Sequence, residues 1–225
     1  MKRLVLFVEG DGDKSAVYVL VKRLLNEFDL WGGLHLDEDP YRVGGANGLL
    51  KDERKKWLGL LRMAARERDL GGVLLVLDGD VRRVGDEQFC AARVARELAQ
   101  ASTRVGGGSL FSVATVFARQ EFESWLIAGI ESLAGRPLEN GRAGVKAGTQ
   151  PPEKDLELAP RDAKGWLSKA MESGYNEVRD QVELTKMVKL SLIRERRMRS
   201  FKRLEDALLT IVQAIRDDSH VVSPS

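Results

Sequence analysis

Residues 71–80 read Gly-Gly-Val-Leu-Leu-Val-Leu-Asp-Gly-Asp, and this stretch decides the fold. The run is apolar at every position rather than at alternate ones. A strand buried on both faces requires that pattern, and such strands belong to parallel sheets. It stops abruptly at an acid, a glycine and a second acid. Working outward, residues 4–8 (Leu-Val-Leu-Phe-Val) repeat the pattern and end in Glu9-Gly10-Asp11-Gly12-Asp13. Residues 109–116 give a third strand, followed by Arg119-Gln120-Glu121-Phe122-Glu123. A weaker strand is expected at 33–36 or 41–43. Helical periodicity fills the intervals. Val17, Leu20, Val21, Leu24, Leu25 and Phe28 share one face of residues 14–28, and Leu50, Trp57, Leu60, Leu61 and Ala64 form a stripe within residues 49–68. Residues 87–100 and 121–133 also read as helical. The order βαβαβαβα predicts an α/β fold: a doubly wound, mostly parallel, Rossmann-like sheet with helices on both faces.

The texture changes after residue 135. Residues 136–160 are rich in Gly and Pro, lack periodicity and read as a long loop. Residues 161–171, 175–193 and 200–215 read as helices, and the last few residues as a frayed end. The expected organisation is an α/β core over 1–135, a loop over 136–160 and a helical C-terminal extension over 161–217 packed on the core. At 225 residues, with 43% apolar and 31% charged, the chain can bury a core without metal or disulfides. The single cysteine, Cys90, excludes an internal disulfide, is expected to be a small buried helix residue, and fits a reducing cytoplasm. The apolar run at 4–8 is too short for a signal peptide, and no stretch approaches the roughly 20 apolar residues of a membrane span. Two histidines, His35 and His220, far apart in sequence, argue against a histidine-held zinc ion.

Open α/β sheets bind ligands beyond the carboxyl ends of their strands, so the residues after each run carry the chemistry. The glycine turn after residue 8 fails both nucleotide patterns. A phosphate-cradling loop needs glycine before its lysine, but Asp13 precedes Lys14. Gly10-x-Gly12 is followed by Ser15 where a dinucleotide fold needs glycine. Glu9, Asp11 and Asp13 would also repel a pyrophosphate. Asp78 and Asp80, two apart on an extended segment, can point to the same side, with Gly79 leaving room for a close approach. Carboxylates about 5 Å apart repel by roughly 3 kcal/mol at an effective dielectric of ~20. Mg²⁺ or Mn²⁺ removes that cost, which implies metal-assisted chemistry on a phosphate ester. The bland alternative is that each acid caps a helix or faces water; Asp13 would cap a helix starting at Lys14.

Two motifs, Val5-Leu6-Phe7-Val8-Glu9-Gly10-Asp11-Gly12-Asp13 and Leu74-Leu75-Val76-Leu77-Asp78-Gly79-Asp80, resemble the Toprim superfamily shared by topoisomerases, primases and OLD-type nucleases. The blocks Ala118–Leu126 and Ser200-Phe201-Lys202-Arg203-Leu204 are similar to the small bacterial Toprim-like family designated domain of unknown function 4276. The resemblance implies a Mg²⁺-dependent site with Glu9 as general acid/base or metal-linked carboxylate. Asp78 and Asp80 would be metal ligands, Asp13 an additional ligand and Glu123 a further candidate. It further implies a partner ATPase of the ABC/SMC type, since this chain carries no phosphate-loop motif, and a place in bacterial defence against foreign DNA.

Charge is uneven along the chain. Residues 1–135 carry 19 basic and 20 acidic side chains, whereas residues 136–225 carry 17 and 14. Residues 186–203 hold eight basic side chains against Glu195 alone. Lys186, Lys189, Arg196 and Arg197 are therefore candidate phosphate contacts, with Arg82, Arg83 and Arg119 beside the acidic motifs. The competing reading is a solvated helical face, or bases held by acids elsewhere in the fold. The function expected is metal-dependent phosphodiester hydrolysis of nucleic acid, DNA before RNA. The alternative from another class is an inactive binding or regulatory subunit of an ATPase complex; a phosphatase lacks its aspartyl nucleophile context.

Overall fold

The computed structural model describes residues 1–139 and 141–225. The continuous apolar runs become β1 (Lys2–Val8), β4 (Leu70–Asp78) and β7 (Ser112–Ala118), which lie side by side in that order. Two short strands, β2 (Leu34–Leu36) and β3 (Tyr41–Arg42), pair in turn along the outer edge of β1. All five pair parallel. Both expected positions for the weak strand are therefore occupied.

Alternation along the strands sends side chains to two layers. Leu4, Leu6, Val8, Leu74, Val76, Ala114 and Val116 face α1 (Asp11–Glu27) and α9 (Arg199–Arg216). Val5, Phe7, Val73, Leu75, Leu77, Val113 and Phe117 face α3 (Lys55–Arg66) and α4 (Ala91–Ser102). This is the α/β architecture with helices on both faces. The C-terminal third supplies one of the covering layers, because α9 packs on β4 and β7. It also supplies a strand. Where a frayed end was expected, β8 (Val222–Ser223) pairs parallel with Val113 and Ala114 of β7.

Several boundaries differ from expectation for local physical reasons. The helix expected over 49–68 is broken. A short α2 (Ala46–Leu50) ends before Asp52, Glu53 and Arg54, all at positive φ, and α3 starts afresh. The run Lys-Asp-Glu-Arg-Lys-Lys (51–56) offers no apolar side chain to bury, so nothing compensates for continuing the first helix. The helix expected from residue 87 starts at Ala91, because β5 (Arg83–Val84) and β6 (Glu87–Gln88) form a hairpin about Gly85 at φ 58. Cys90, expected to be buried, is exposed just before α4. Residues 136–160 contain no helix or strand among the described residues and are pinned by bridges of Val145 to Ala134 and Met171. Four helices complete the fold: α5 (Glu123–Ala128), α6 (Ala163–Ala170), α7 (Glu177–Met187) and α8 (Leu190–Glu195). Among these, α7 packs along α1.

Candidate functional site

Because β1, β4 and β7 are neighbours, their carboxyl ends deliver Glu9, Asp78, Asp80, Glu121 and Glu123 to one edge of the sheet. Glu9 Oε2 accepts the Asp78 N–H at 3.2 Å, which ties the first motif to the second. Asp78 Oδ1 in turn accepts the Phe122 N–H at 2.9 Å, which ties the second to the third. Gly79 has a backbone reason. A Cβ there would stand 2.7 Å from the Ala118 carbonyl oxygen, and its own N–H donates to the Gln120 carbonyl at 2.8 Å. The close approach therefore comes from the neighbouring strand end.

Asp13 lies in the first turn of α1, since the helix starts at Asp11 and not at Lys14. Its Oδ2 accepts the Gly10 N–H at 2.9 Å, and its Oδ1 accepts from Gln181 Nε2 at 3.2 Å. It is thus both a cap and a member of the cluster. Asp11 turns away to pair with Arg42 at 2.8 Å. Glu123, fully buried, accepts on Oε1 from the Tyr175 hydroxyl at 2.7 Å and from Gln181 Nε2 at 3.3 Å. Its Oε2 and the Gln181 Oε1 are buried without a hydrogen-bond partner among the described residues. Asp80 is exposed at the rim.

Electrostatics bind these groups into one unit. Burial, with the charges of Asp13, Glu123 and Glu9, holds the Asp78 carboxyl well above the ordinary carboxylate range. Burial lifts Glu9, and Asp80 and Asp13 add to it against the Asp78 N–H. Burial also raises Asp13 and Glu121, and pushes Glu123 up to about 7. The Tyr175 hydroxyl is held protonated by burial and by the adjacent Glu123.

The cluster has one internal cation, Lys164. Its Nζ stands 3.0 Å from Glu177 Oε2, 3.8 Å from Glu121 Oε1 and 3.9 Å from Asp78 Oδ2. Burial opposes its charge, but Glu123, Asp78 and Glu177 more than offset that and hold the ammonium firmly protonated. Glu121 fixes its position, because Oε2 accepts the Ala163 and Lys164 N–H groups at 2.8 and 3.3 Å at the start of α6. The donors are all hard oxygens, which suits Mg²⁺ or Mn²⁺ in kind. The Glu123 Oε2, buried without a hydrogen-bond partner among the described residues, is a further oxygen of the same kind. Yet among the described residues no three Asp, Glu, His or Cys side chains already surround one point as a closed metal cage. An ion would draw on Asp78 and on Asp80 at the rim, with Glu9 hydrogen-bonded to the Asp78 N–H beside them.

A family model described as a domain of unknown function (DUF4276) matches residues 8–209, most of the chain and all of these groups. The chain belongs to that family. No curated protein matches it, and no solved structure does.

In this DUF4276 member the basic candidates divide sharply. Lys186 pairs with Glu139 and Glu183 at 2.8 and 2.9 Å, and Arg196 with Glu131 at 2.7 Å, so both charges are spent within the fold. Arg194 and Lys202 are likewise paired with Glu27, Glu205 and Asp206. Arg83 donates to the Asp86 carbonyl inside the hairpin. Lys189 and Arg197 are exposed, and neither is brought to the carboxylates. Arg82 and Arg119 lie on the Asp80 side of the site. Together with Arg161 they line a cleft of about 460 Å³ that also contains Asp80 and Gln120. Sequence reading missed Arg161, Lys164, Tyr175, Glu177 and Gln181. No motif marks them, and only the packing of α6 and α7 at the carboxyl edge brings them in.

Proposed function

We propose that this DUF4276 chain is a metal-dependent phosphodiesterase acting on nucleic acid, with a Toprim-type site. The carrying observation is the mutual repulsion at Asp78, whose carboxyl, largely but not fully buried, feels the charges of Asp13, Glu123 and Glu9 with one lysine to offset them. A site without work has no reason to retain such a cost, and the carboxyl edge of a parallel sheet is where these folds bind ligands. A bound Mg²⁺ would polarise the phosphate and make its water acidic. Asp78 and Asp80 would hold the ion, and Glu9, already raised in proton affinity, would accept a proton. Arg82, Arg119 and Arg161 supply bidentate donors for phosphate oxygens beside Asp80. DNA as the preferred substrate, a separate ABC/SMC-type ATPase partner, cytoplasmic location and a role in bacterial defence belong to the same proposal and rest on the Toprim and OLD-type resemblance. No helix among the described residues is long and apolar enough to cross a membrane.

The test is cleavage of supercoiled, linear and single-stranded DNA and of RNA with Mg²⁺ or Mn²⁺, comparing wild type with Asp78→Ala. Metal-dependent cutting lost in the variant supports the reading. One observation favours a second reading, a non-catalytic regulatory subunit: Lys164 already stands among the carboxylates. Ion-induced stabilisation separates the two. At tenfold excess over Kd, a bound ion adds about 1.4 kcal/mol, or roughly 3–6 °C in Tm for a chain of this size. Neither cutting nor stabilisation leaves the regulatory subunit.

A further inference from the structure

A second cavity, of about 670 Å³, opens beside the carboxylate edge and shares only Gly79 and Arg119 with the cleft-side groups described above, apart from Phe89. It exists because β8 is short. That strand pairs with β7 only at Val113 and Ala114 and then meets Pro224, which has no N–H to continue the ladder. The outer edge of β7 beyond Thr115 therefore has no neighbouring strand among the described residues. The Val113 N–H donates to the Val221 carbonyl, so by two-residue alternation the Phe117 N–H and carbonyl face the same open side.

The cavity wall is apolar at depth and cationic at the mouth. Phe89 and Phe117 meet edge to face, with centroids 5.3 Å apart, and Ala95 of α4 completes that wall. Thr115 belongs to the cavity lining and is 1% exposed, and its Oγ1 is buried with no hydrogen-bond partner among the described residues. At the mouth stand Arg119, Arg199 and Arg203, none of which forms an ion pair with an acid among the described residues. The two acids in the lining are each held by a backbone N–H of another lining residue. Asp155 accepts the Glu157 N–H at 2.9 Å, and Glu157 accepts the Ser200 N–H at 2.6 Å. The volume lies in the range of small-molecule sites, roughly 300–1,000 Å³. An orphaned hydroxyl and a bare strand edge suit the polar rim of a flat heterocycle. The phenylalanines suit its ring, and guanidiniums suit a phosphate, which they bind bidentately.

We propose that this cavity binds one mononucleotide, its base against Phe89 and Phe117 with an edge on Thr115, and its phosphate on Arg199 and Arg203. The site requires no metal. Cys90 provides a reporter, since it is the sole cysteine, is exposed and lines the same cavity. The experiment follows alkylation of Cys90 by iodoacetamide on the full chain in EDTA. The probes are AMP, GMP, CMP and UMP, the matching nucleosides, and inorganic phosphate. At least one mononucleotide should slow alkylation saturably, with its nucleoside weaker by about tenfold or more. Arg199→Glu should abolish that protection while the unliganded alkylation rate and Tm stay as in wild type, and Thr115→Val should weaken it by about tenfold. No protection by any mononucleotide at millimolar concentration overturns the proposal. So does equal protection by a nucleoside or by phosphate alone.

Discussion

At the scale of the residue, Glu123 carries the clearest pH consequence. Its carboxyl is raised from 4.5 to about 7 by burial. Between those values the folded chain holds a proton that the unfolded chain has released. Raising the pH through that window therefore destabilises the fold, by on the order of 3 kcal/mol for this group, and above about 7 its contribution is flat. Glu9, Asp13, Asp78 and Glu121 are shifted in the same direction and add the same sign. Tm in EDTA should fall from pH 5 to pH 8, and Glu123→Gln should flatten that fall. The comparison is made within each protein across pH, so that any packing cost of the substitution cancels. An unchanged slope in the variant would mean that Glu123 is ionised in the folded chain throughout.

At the scale of the element, glycines mark where backbone meets backbone. Gly79→Ala sets a Cβ against the Ala118 carbonyl, which cannot rotate away, and should cost about 1–3 kcal/mol while shifting Asp78 and Asp80 together. Gly59 within α3 has open space around it, so Gly59→Ala should instead add up to ~1 kcal/mol. Urea midpoints of the two variants moving in opposite directions would bear out this contrast, and equal shifts would refute it. The same scale explains what could be read in advance. Glu9, Asp78 and Asp80 were legible because each closes an apolar run whose burial on both faces admits one strand assignment. Lys164, Tyr175 and Glu177 were not. Helical periodicity reports which face of α6 or α7 is apolar, but not which strand ends their first turns will meet. The two-residue strand β8 carries no sequence signal of its own, as its pairing with β7 is wholly tertiary.

At the scale of the whole molecule, the sheet and the C-terminal helices share one buried cluster, to which both Leu74 of β4 and Leu208 of α9 belong. Leu74→Ala and Leu208→Ala should each cost about 2–5 kcal/mol. Both should shift a single transition that is the same by circular dichroism and by tryptophan fluorescence. Two separable transitions would show that the C-terminal helices fold as an independent unit. The basic run at 186–203 is also explained at this scale. Sequence registers its charge but not the acids of distant segments, such as Glu27, Glu131 and Glu139, that fold back to neutralise much of it.

The long segment between α5 and α6 is fastened at Val145 and again at Glu157. Val145 is bridged to Ala134 and Met171, while Arg119 and Gln120 hold the Glu157 carbonyl and Glu157 itself caps α9. Glu153 and Lys154, between those fastenings, are exposed. Because closing a loop of twice the length costs only about 0.6 kcal/mol more, a flexible insert at Glu153–Lys154 should leave Tm nearly unchanged. That makes the loop an attachment point, where a dye or a surface tether can be joined to the chain without drawing on either the carboxylates or the core.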